Sequence, residues 1–188
     1  IAKDVSPELI LDRLSISDCA KVFCTEEQEA AWDGVSKKFN AAWGCPDSQY
    51  ARSIVPEKAC DKPFHLTVWK GERASAQVVV WTAEGLDGVE CKVGDFKSAA
   101  GTMPASIAEA RFVRYTLADE QTYRFKKGGP AVIAPDMLDT LSRFDMAACT
   151  TRPVWVSLEI PSDAEAGIYT TEIEVSHNGF GKTKLPLE

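Results

Sequence analysis

The sequence predicts a mainly β protein: a two-sheet antiparallel β-sandwich of the immunoglobulin or jelly-roll kind, with a short helical extension at its N-terminus. From Phe64 onward, apolar and polar residues alternate with a period of two, as in strands that bury one face. Gly, Pro and Asp turns separate these short segments. A length of 188 residues suits a single domain. We therefore expect one domain over 1–188, with a helical or irregular extension over 1–45 and sandwich strands over 64–188.

The individual strands follow from this alternation. The segment 74–82 is apolar on both faces at Val78–Trp81, which is typical of a central strand that is covered on both sides. The segment 154–160 places its aliphatic residues on one face and Trp155 on the other. Asn178 and Gly179 predict a hairpin turn between the last two strands. The predicted strands are 64–70, 74–82, 89–93, 110–117, 154–160, 169–175 and 182–188.

Helical signals occur in the N-terminal extension and in a long connection over 120–149. Ser6 is a candidate N-cap, and Thr25 with Gln28 forms a capping box at the start of a predicted helix over 25–44. The apolar stripe of that helix would contain Trp32, Val35, Phe39 and Trp43. A second short helix is predicted over 135–141 with Asp136 as its N-cap. Connections as long as 120–149 are usually functional or belong to an interface.

Composition excludes several classes of function. A net charge of −7 and a pI near 5.0 argue against binding to nucleic acid or to an anionic membrane, which needs a basic face. No apolar run approaches the ~20 residues that span a bilayer, so no transmembrane segment is expected. The six cysteines lack CxxC spacing, and we expect no metal and no other cofactor. Cys91 has the parity of Val89 and Val93, which places it in the predicted core.

The chain offers no convincing catalytic group. It has no G-x-S-x-G motif, and its two histidines, His65 and His177, lie in a predicted strand and beside a hairpin turn. Paired carboxylates could cleave a glycoside, and the candidate acids are Asp119–Glu120 and Asp136 with Asp139. The first pair ends a strand and Asp136 reads as a helix cap, so a structural role is the better interpretation.

The candidate contact residues are Trp69, Arg152 and Trp155. Both tryptophans lie on the faces opposite to the aliphatic rows of their strands. Such aromatic rings can stack on a sugar, dock another domain or pack under the N-terminal helix, and the sequence leaves these alternatives open. Arg152 directly precedes a strand, where it could pair with an acid such as Asp136 or with a partner domain.

A family resemblance is carried by five stretches: AAWGCPDSQYARSIVP (41–56), WKGERASAQVVVWT (69–82), ARFVRYTLAD (110–119), APDMLD (134–139) and TTRPVWVSLEIPSDAEAGIYTTEIEV (150–175). They look like the N-terminal domain of glycoside hydrolase family 123-like proteins, which are common in gut Bacteroides-type bacteria. The resemblance implies a secreted, periplasmic or cell-surface protein. It also implies that the β-sandwich packs on a following (β/α)-barrel, which removes β-linked N-acetylgalactosamine by substrate-assisted hydrolysis.

In that family the acid pair for the reaction lies in the barrel, so no catalytic residue carries over to this chain. The resemblance thus implies a non-catalytic accessory domain, excised from a longer protein, whose partner is the C-terminal catalytic barrel of the same polypeptide. We expect the contact surface to contain residues 120–149 with Arg152 and Trp155. The alternative is a carbohydrate-binding module in which Trp69 or Trp155 contacts a glycan.

Overall fold

The computed structural model describes residues 25–35, 39–57, 59–60, 63–118, 132–178 and 181–188. The predicted Ser6 cap, Asp119–Glu120 and Gly179 lie outside these residues. One α-helix is described, α1 (Glu26–Ala30), and a 3₁₀ turn over Ala31–Gly34 continues it. The strands are β1 (Asn40–Gly44), β2 (Arg73–Thr82), β3 (Leu86–Val93), β4 (Phe96–Lys97), β5 (Thr102–Met103), β6 (Ala108–Ala118), β7 (Val132–Leu138), β8 (Arg143–Met146), β9 (Thr150–Glu159), β10 (Thr171–His177) and β11 (Gly181–Leu187).

Two antiparallel sheets form the predicted sandwich. The larger sheet has the order β1-β2-β9-β6-β7, the smaller has the order β11-β10-β3-β8, and β4 pairs with β5 in a separate two-stranded ribbon. Every strand pairing within the two main sheets is antiparallel. The hairpin between β10 and β11 is confirmed, with His177 opposite Gly181. The predicted fold class is therefore confirmed.

The inner faces of the two sheets enclose one hydrophobic core. Aliphatic residues that alternate along the central strands supply most of it, as the period-two pattern predicts. In β9, for example, Val154, Val156 and Leu158 are buried while Glu159 is exposed. Cys91 packs against this core as predicted, and burial raises the pKa of its thiol to about 12.

Residues 45–57 cover the part of the outer face of the larger sheet that lies over β2. Gln77 of β2 donates from Nε2 to the carbonyl oxygens of Cys45 (2.8 Å) and Ser48 (3.1 Å). The Tyr115 hydroxyl donates to the Tyr50 carbonyl at 2.8 Å. Val79, which faces this segment, is fully buried. This cover explains why β2 is apolar on both faces, and the prediction of a doubly covered central strand is confirmed.

The predicted helix over 25–44 is correct only in its first turns. The capping box of Thr25 and Gln28 is present. The chain then leaves the helix, and Asn40–Gly44 pairs with β2 as an edge strand of the larger sheet. The helical or irregular extension over 1–45 thus contains a strand of the sandwich. The second predicted helix, over 135–141, is wrong as well, because Val132–Leu138 is the strand β7.

The predicted strand over 64–70 is replaced by an extended segment with few ladder bonds. Its alternation is as predicted, with Phe64, Leu66 and Val68 partly buried and the intervening side chains exposed. Phe64 forms an isolated parallel bridge with Leu187 of β11. This segment therefore borders the sandwich beside the last residues of the chain.

The two ends of the sandwich are defined by the residue pairs at the ends of its strands. One end, called the C-terminal end here, contains the Arg73–Glu159 pair and the pairing of Thr171 with Leu187. The other end contains the pairing of Thr82 with Thr150 and the short connection from β2 to β3. Any site at the C-terminal end therefore lies beside Glu188.

Candidate functional site

A groove of about 750 Å³ lies at the C-terminal end of the sandwich. Residues 65–70 form one wall, and the loop from β9 to β10 forms the other. Core residues Phe96, Leu158 and Leu187 lie at its base. We call this concavity the C-terminal groove. Its lining is mostly apolar, so it is suited to bind an apolar surface rather than an ion.

Two exposed apolar side chains stand on the opposite walls of this groove. Trp69 is 81% exposed and Ile168 is 70% exposed. The sequence correctly placed Trp69 away from the aliphatic row of its segment. The Trp69 N–H donates to Glu72 Oε2 at 2.6 Å, and the Glu72 N–H donates to the Trp69 carbonyl at 3.1 Å. This tight turn fixes the backbone that carries the exposed indole.

Polar contacts hold the walls of the groove. His65 Nδ1 lies 3.1 Å from Glu188 Oε1. On the other wall, the Tyr169 hydroxyl donates to the Glu165 carbonyl at 3.1 Å, a loop-tying contact like that of the tyrosine corner in immunoglobulin-type sandwiches. The Ile160 N–H, at the end of β9, donates to the Glu72 carbonyl at 2.9 Å, just beyond the first wall. The groove is therefore a formed feature of the fold.

The three candidate contact residues do not come together in the structure. Trp69 borders the C-terminal groove. Trp155 lies on the outer face of the larger sheet, opposite Gln77 and Arg111, and is partly exposed. Arg152 lies near the end remote from Glu188. Interdomain or glycan contact by Trp69 and Trp155 stays a prediction.

Arg152 is buried inside the domain, with only 9% of its surface exposed. Its guanidinium lies over the ring of Phe144, 3.9 Å from the centroid, and 4.9 Å from the centroid of Tyr115. Its Nη1 donates to the Val113 carbonyl at 2.8 Å. The predicted pairing with Asp136 is wrong, because aromatic faces and a carbonyl surround this cation. Arg152 and Trp155 lie on opposite faces of their sheet and do not form the single patch that the sequence predicted.

Part of the long connection does expose apolar side chains. Of its described residues, Met137 and Leu141 are each 51% exposed, and Leu138 is also exposed. Residues 120–131 of this connection lie outside the described structure. We call Met137, Leu138 and Leu141 the β7 patch. It is a second candidate contact surface, separate from the C-terminal groove.

The two acids of the predicted pair in this region have different roles. Asp136 is exposed on β7 and is not a helix cap. Asp139 is buried, and its Oδ2 accepts from Arg114 Nε at 3.0 Å while its Oδ1 accepts from the Leu141 N–H at 3.1 Å. Burial raises the pKa of Asp139, but the hydrogen bond from Arg114 and those from the backbone outweigh burial and leave the pKa below its ordinary value. Asp139 is therefore a charged structural anchor.

This arrangement predicts a pH-dependent contribution to stability. Folding lowers the pKa of Asp139 below its ordinary value of 3.8. The carboxylate therefore stabilises the fold fully at pH values above 3.8, and this stabilisation is lost as the pH falls through the pKa of the folded state. Asp139→Asn should cost about 1 kcal/mol at pH 7, since the partner Arg114 is partly exposed and screened. Urea unfolding of both proteins at pH 7 and pH 3 measures this. The difference should shrink at pH 3, and the exposed Asp136→Asn is the control.

The described residues hold few groups that could bind a metal. No cluster of three or more His, Cys, Asp and Glu side chains suited to a metal ion occurs among them. The described cysteines Cys45, Cys60, Cys91 and Cys149 are free thiols. A smaller concavity of about 450 Å³ lies beside the β10–β11 hairpin and is lined by Glu90, Arg143 and Lys182 among others. Glu90 is paired there with Lys92 at 2.7 Å, and Arg143 bonds to Asn178.

Sequence reasoning missed one wall of the C-terminal groove. Ile168 is an apolar residue at the end of the polar turn between β9 and β10, and it is the signal that could have indicated an exposed contact. Met103 and Phe96 reach the same groove from the β4–β5 ribbon. Their strands have two residues each, and alternation cannot reveal segments this short.

No helix within the described ranges is long and apolar enough to cross a membrane. A family model described as "Glycoside hydrolase 123 N-terminal domain" matches residues 43–177. No curated protein matches the sequence. Among solved structures, a family 123 glycoside hydrolase from Clostridium perfringens, reported in a study of glycolipid glycan hydrolysis, is similar with a TM-score of 0.70 and 19% identity. The match covers 80% of this chain and 26% of that enzyme's chain.

Proposed function

Because this chain belongs to the family of glycoside hydrolase 123 N-terminal domains, we propose that it is a non-catalytic accessory domain of a glycoside hydrolase, which packs on and stabilises a following catalytic barrel. The parent enzyme would act on β-linked N-acetylhexosamine and would be secreted, periplasmic or exposed at the cell surface of a bacterium. The name of the family and the similarity in fold to the Clostridium perfringens enzyme support this proposal.

The observation that carries the proposal is the apolar C-terminal groove with Trp69 and Ile168 exposed on its walls. Water contact at two large apolar side chains beside a groove is unfavourable, and such patches mark interaction sites. Burying an exposed Trp side chain recovers roughly 25 cal/mol for each Å² of apolar surface. A domain that covered this groove would therefore stabilise the sandwich.

The test compares thermal unfolding of the 188-residue chain with that of the full-length polypeptide. Docking of the catalytic domain should raise the unfolding temperature of the sandwich, and the two parts should unfold together. Calorimetry measures both quantities. Two independent transitions, with the sandwich unfolding at the temperature of the isolated chain, would refute the proposal.

Replacement of Trp69 sharpens this test. In the 188-residue chain, Trp69→Ala should change the free energy of unfolding by less than about 0.5 kcal/mol, because the side chain is exposed. In the full-length polypeptide the same change should cost about 1–3 kcal/mol if the indole is buried by the partner domain. Urea unfolding gives both values. Asp87→Ala, an exposed change at the opposite end of the sandwich, is the control. Equal effects of Trp69→Ala in both polypeptides would argue against docking at Trp69.

Glycan binding is a second candidate function, favoured by the exposed indole of Trp69, which lines the same groove as His65 and Lys70. Sugars stack their apolar faces on such rings. A titration of the isolated domain with oligosaccharides that end in β-linked N-acetylgalactosamine should then quench tryptophan fluorescence in a saturable way, and Trp69→Ala should abolish the quenching. Unchanged fluorescence up to millimolar sugar would rule this function out.

A further inference from the structure

The backbone of residues 64–66 forms the start of a parallel ladder with the end of β11. The Phe64 N–H donates to the Pro186 carbonyl at 3.2 Å, the Glu188 N–H donates to the Phe64 carbonyl at 2.9 Å, and the Leu66 N–H donates to the Glu188 carbonyl at 2.8 Å. These bonds advance by two residues on each side, as parallel strands require. The ladder therefore runs toward the C-terminal groove.

The next groups of this ladder have no partner among the described residues. They are the Leu66 carbonyl and the Val68 N–H, which follow in register on an extended segment. Unpaired strand groups of this kind readily bind another strand. In this register, the partner of both groups is the second residue after Glu188. Its N–H would donate to the Leu66 carbonyl, and its carbonyl would accept from the Val68 N–H.

The groove beside these groups favours a peptide over a sugar. Leu66, Val68, Met103, Ile160 and Ile168 supply aliphatic walls. A sugar needs hydrogen-bond partners for its hydroxyl groups, and a lining dominated by aliphatic side chains offers few. A strand, in contrast, satisfies its own polar groups by pairing and can turn apolar side chains toward such walls.

We propose that the residues following Glu188 in the full-length protein continue β11 across the C-terminal groove, in parallel pairing with Leu66–Val68. This inference rests on the proposed function, because it requires that a domain follows this one. In β11, Leu185 and Leu187 are buried and Glu188 is exposed. Because side chains alternate, the first and third residues after Glu188 face the groove, and both should be apolar. Charged residues at both positions would contradict the inference.

Amide hydrogen exchange measured by NMR tests the pairing directly. The 188-residue chain is compared with the same chain extended by the five residues that follow Glu188 in the full-length protein. Exchange at the Val68 amide should slow by about tenfold or more in the extended chain, which corresponds to one added hydrogen bond. The Leu66 amide, already bonded in both chains, and the Thr67 amide, which points away from the ladder, are internal controls. Equal exchange at Val68 in the two chains would overturn the inference.

A pair of proline variants in the full-length protein provides an independent measurement. Val68→Pro removes the N–H that the added strand would use, whereas Thr67→Pro removes an N–H that the ladder does not use. Val68→Pro should lower the unfolding temperature of the full-length protein by more than it lowers that of the 188-residue chain, where it removes only partly buried contacts of the side chain. Thr67→Pro should have the same small effect in both. Equal effects of the two prolines in the full-length protein would contradict the pairing.

The outcomes separate this inference from the proposed function. If the full-length protein unfolds as one unit while the Val68 amide stays unprotected, the catalytic domain docks elsewhere, for example on the β7 patch, and only the inference fails. If the domains unfold independently while five added residues protect Val68, the inference stands and the proposed function fails. Saturable sugar quenching at Trp69 in the five-residue-extended chain would assign the groove to a glycan and overturn the inference.

Discussion

Trp43→Ala is expected to lower the free energy of unfolding by about 3–5 kcal/mol, the usual cost of removing a buried tryptophan. Trp43 is 2% exposed, and its indole Nε1 donates to the Pro186 carbonyl of β11 at 3.0 Å. Its ring also stacks on Phe64, with the centroids 5.1 Å apart. The side chain thus joins the β1 edge of the larger sheet to the β11 edge of the smaller one, and its loss opens that side of the sandwich.

Urea unfolding of the 188-residue chain measures this effect, and two variants control it. Trp69→Ala removes the same side chain from an exposed position and should have little effect. Trp43→Phe keeps an aromatic ring but loses the hydrogen bond to Pro186, so it should cost less than Trp43→Ala. If Trp43→Ala were no more costly than Trp69→Ala, the position of Trp43 between the two sheets would be wrong.

The second large effect concerns the buried cation. Arg152→Ala should cost about 2–5 kcal/mol, as for truncation of other long buried side chains, because Phe144 and Tyr115 would line a cavity. Arg152→Met should cost less than about 1.5 kcal/mol, since it fills most of the volume and removes a charge that is costly to bury. Urea unfolding at pH 7 gives both values.

The lowered pKa of Arg152 explains why Arg152→Met should be less destabilising than Arg152→Ala. Burial lowers the pKa of Arg152 to about 10, so the folded state disfavours the charged form. That unfavourable contribution is fully present at neutral pH and is relieved only as the pH rises through about 10. If Arg152→Met were as destabilising as Arg152→Ala, the charge itself, through its contacts with the aromatic rings and the Val113 carbonyl, would be what stabilises this region.

The sequence allowed the sandwich to be predicted because its central strands alternate clearly. The segments around Val78 and Val154 are long, bury whole faces and carry the period-two signal on which the prediction depends. The predictions for the edge segments were wrong for physical reasons. Trp32, Val35, Phe39 and Trp43 fit a helical spacing, but the described helical turns end at Gly34, and the last two residues belong to a strand or its approach.

Glycine and proline were misread at the same edges. Gly44 is the last residue of the predicted helix over 25–44, whereas in the structure a Cβ there would lie 2.5 Å from Val79 Cγ2 and 2.9 Å from the Tyr50 hydroxyl oxygen. Because Gly44 has no side chain, residues 45–57 can pack close to β2. Pro135 and Asp136 looked like a helix start, yet Pro135 lies in the edge strand β7, opposite Tyr115 and beside a bulge in the ladder. A proline is tolerated there because an edge strand does not need every N–H.

The candidate site was predictable only in part. Trp69 was correctly expected on the face away from the aliphatic row, since alternation fixes the side of a residue. Alternation does not reveal which other segments meet that residue. The loop that carries Ile168 and the ribbon that carries Met103 reach the groove through tertiary folding. The burial of Arg152 was missed because nothing in its neighbouring residues indicates that Phe144 and Tyr115 enclose it.

The strand order of the larger sheet has a consequence for synthesis of the protein. The longest pairing joins β2 to β9 and places Arg73 opposite Glu159. During translation at about 5–20 residues per second, β2 therefore leaves the ribosome several seconds before its central neighbour exists. Non-local strand pairings of this kind form slowly, and until β9 is made the nascent valine-rich strand is exposed to other chains. Chaperone dependence of the newly made chain should accordingly be concentrated in that interval.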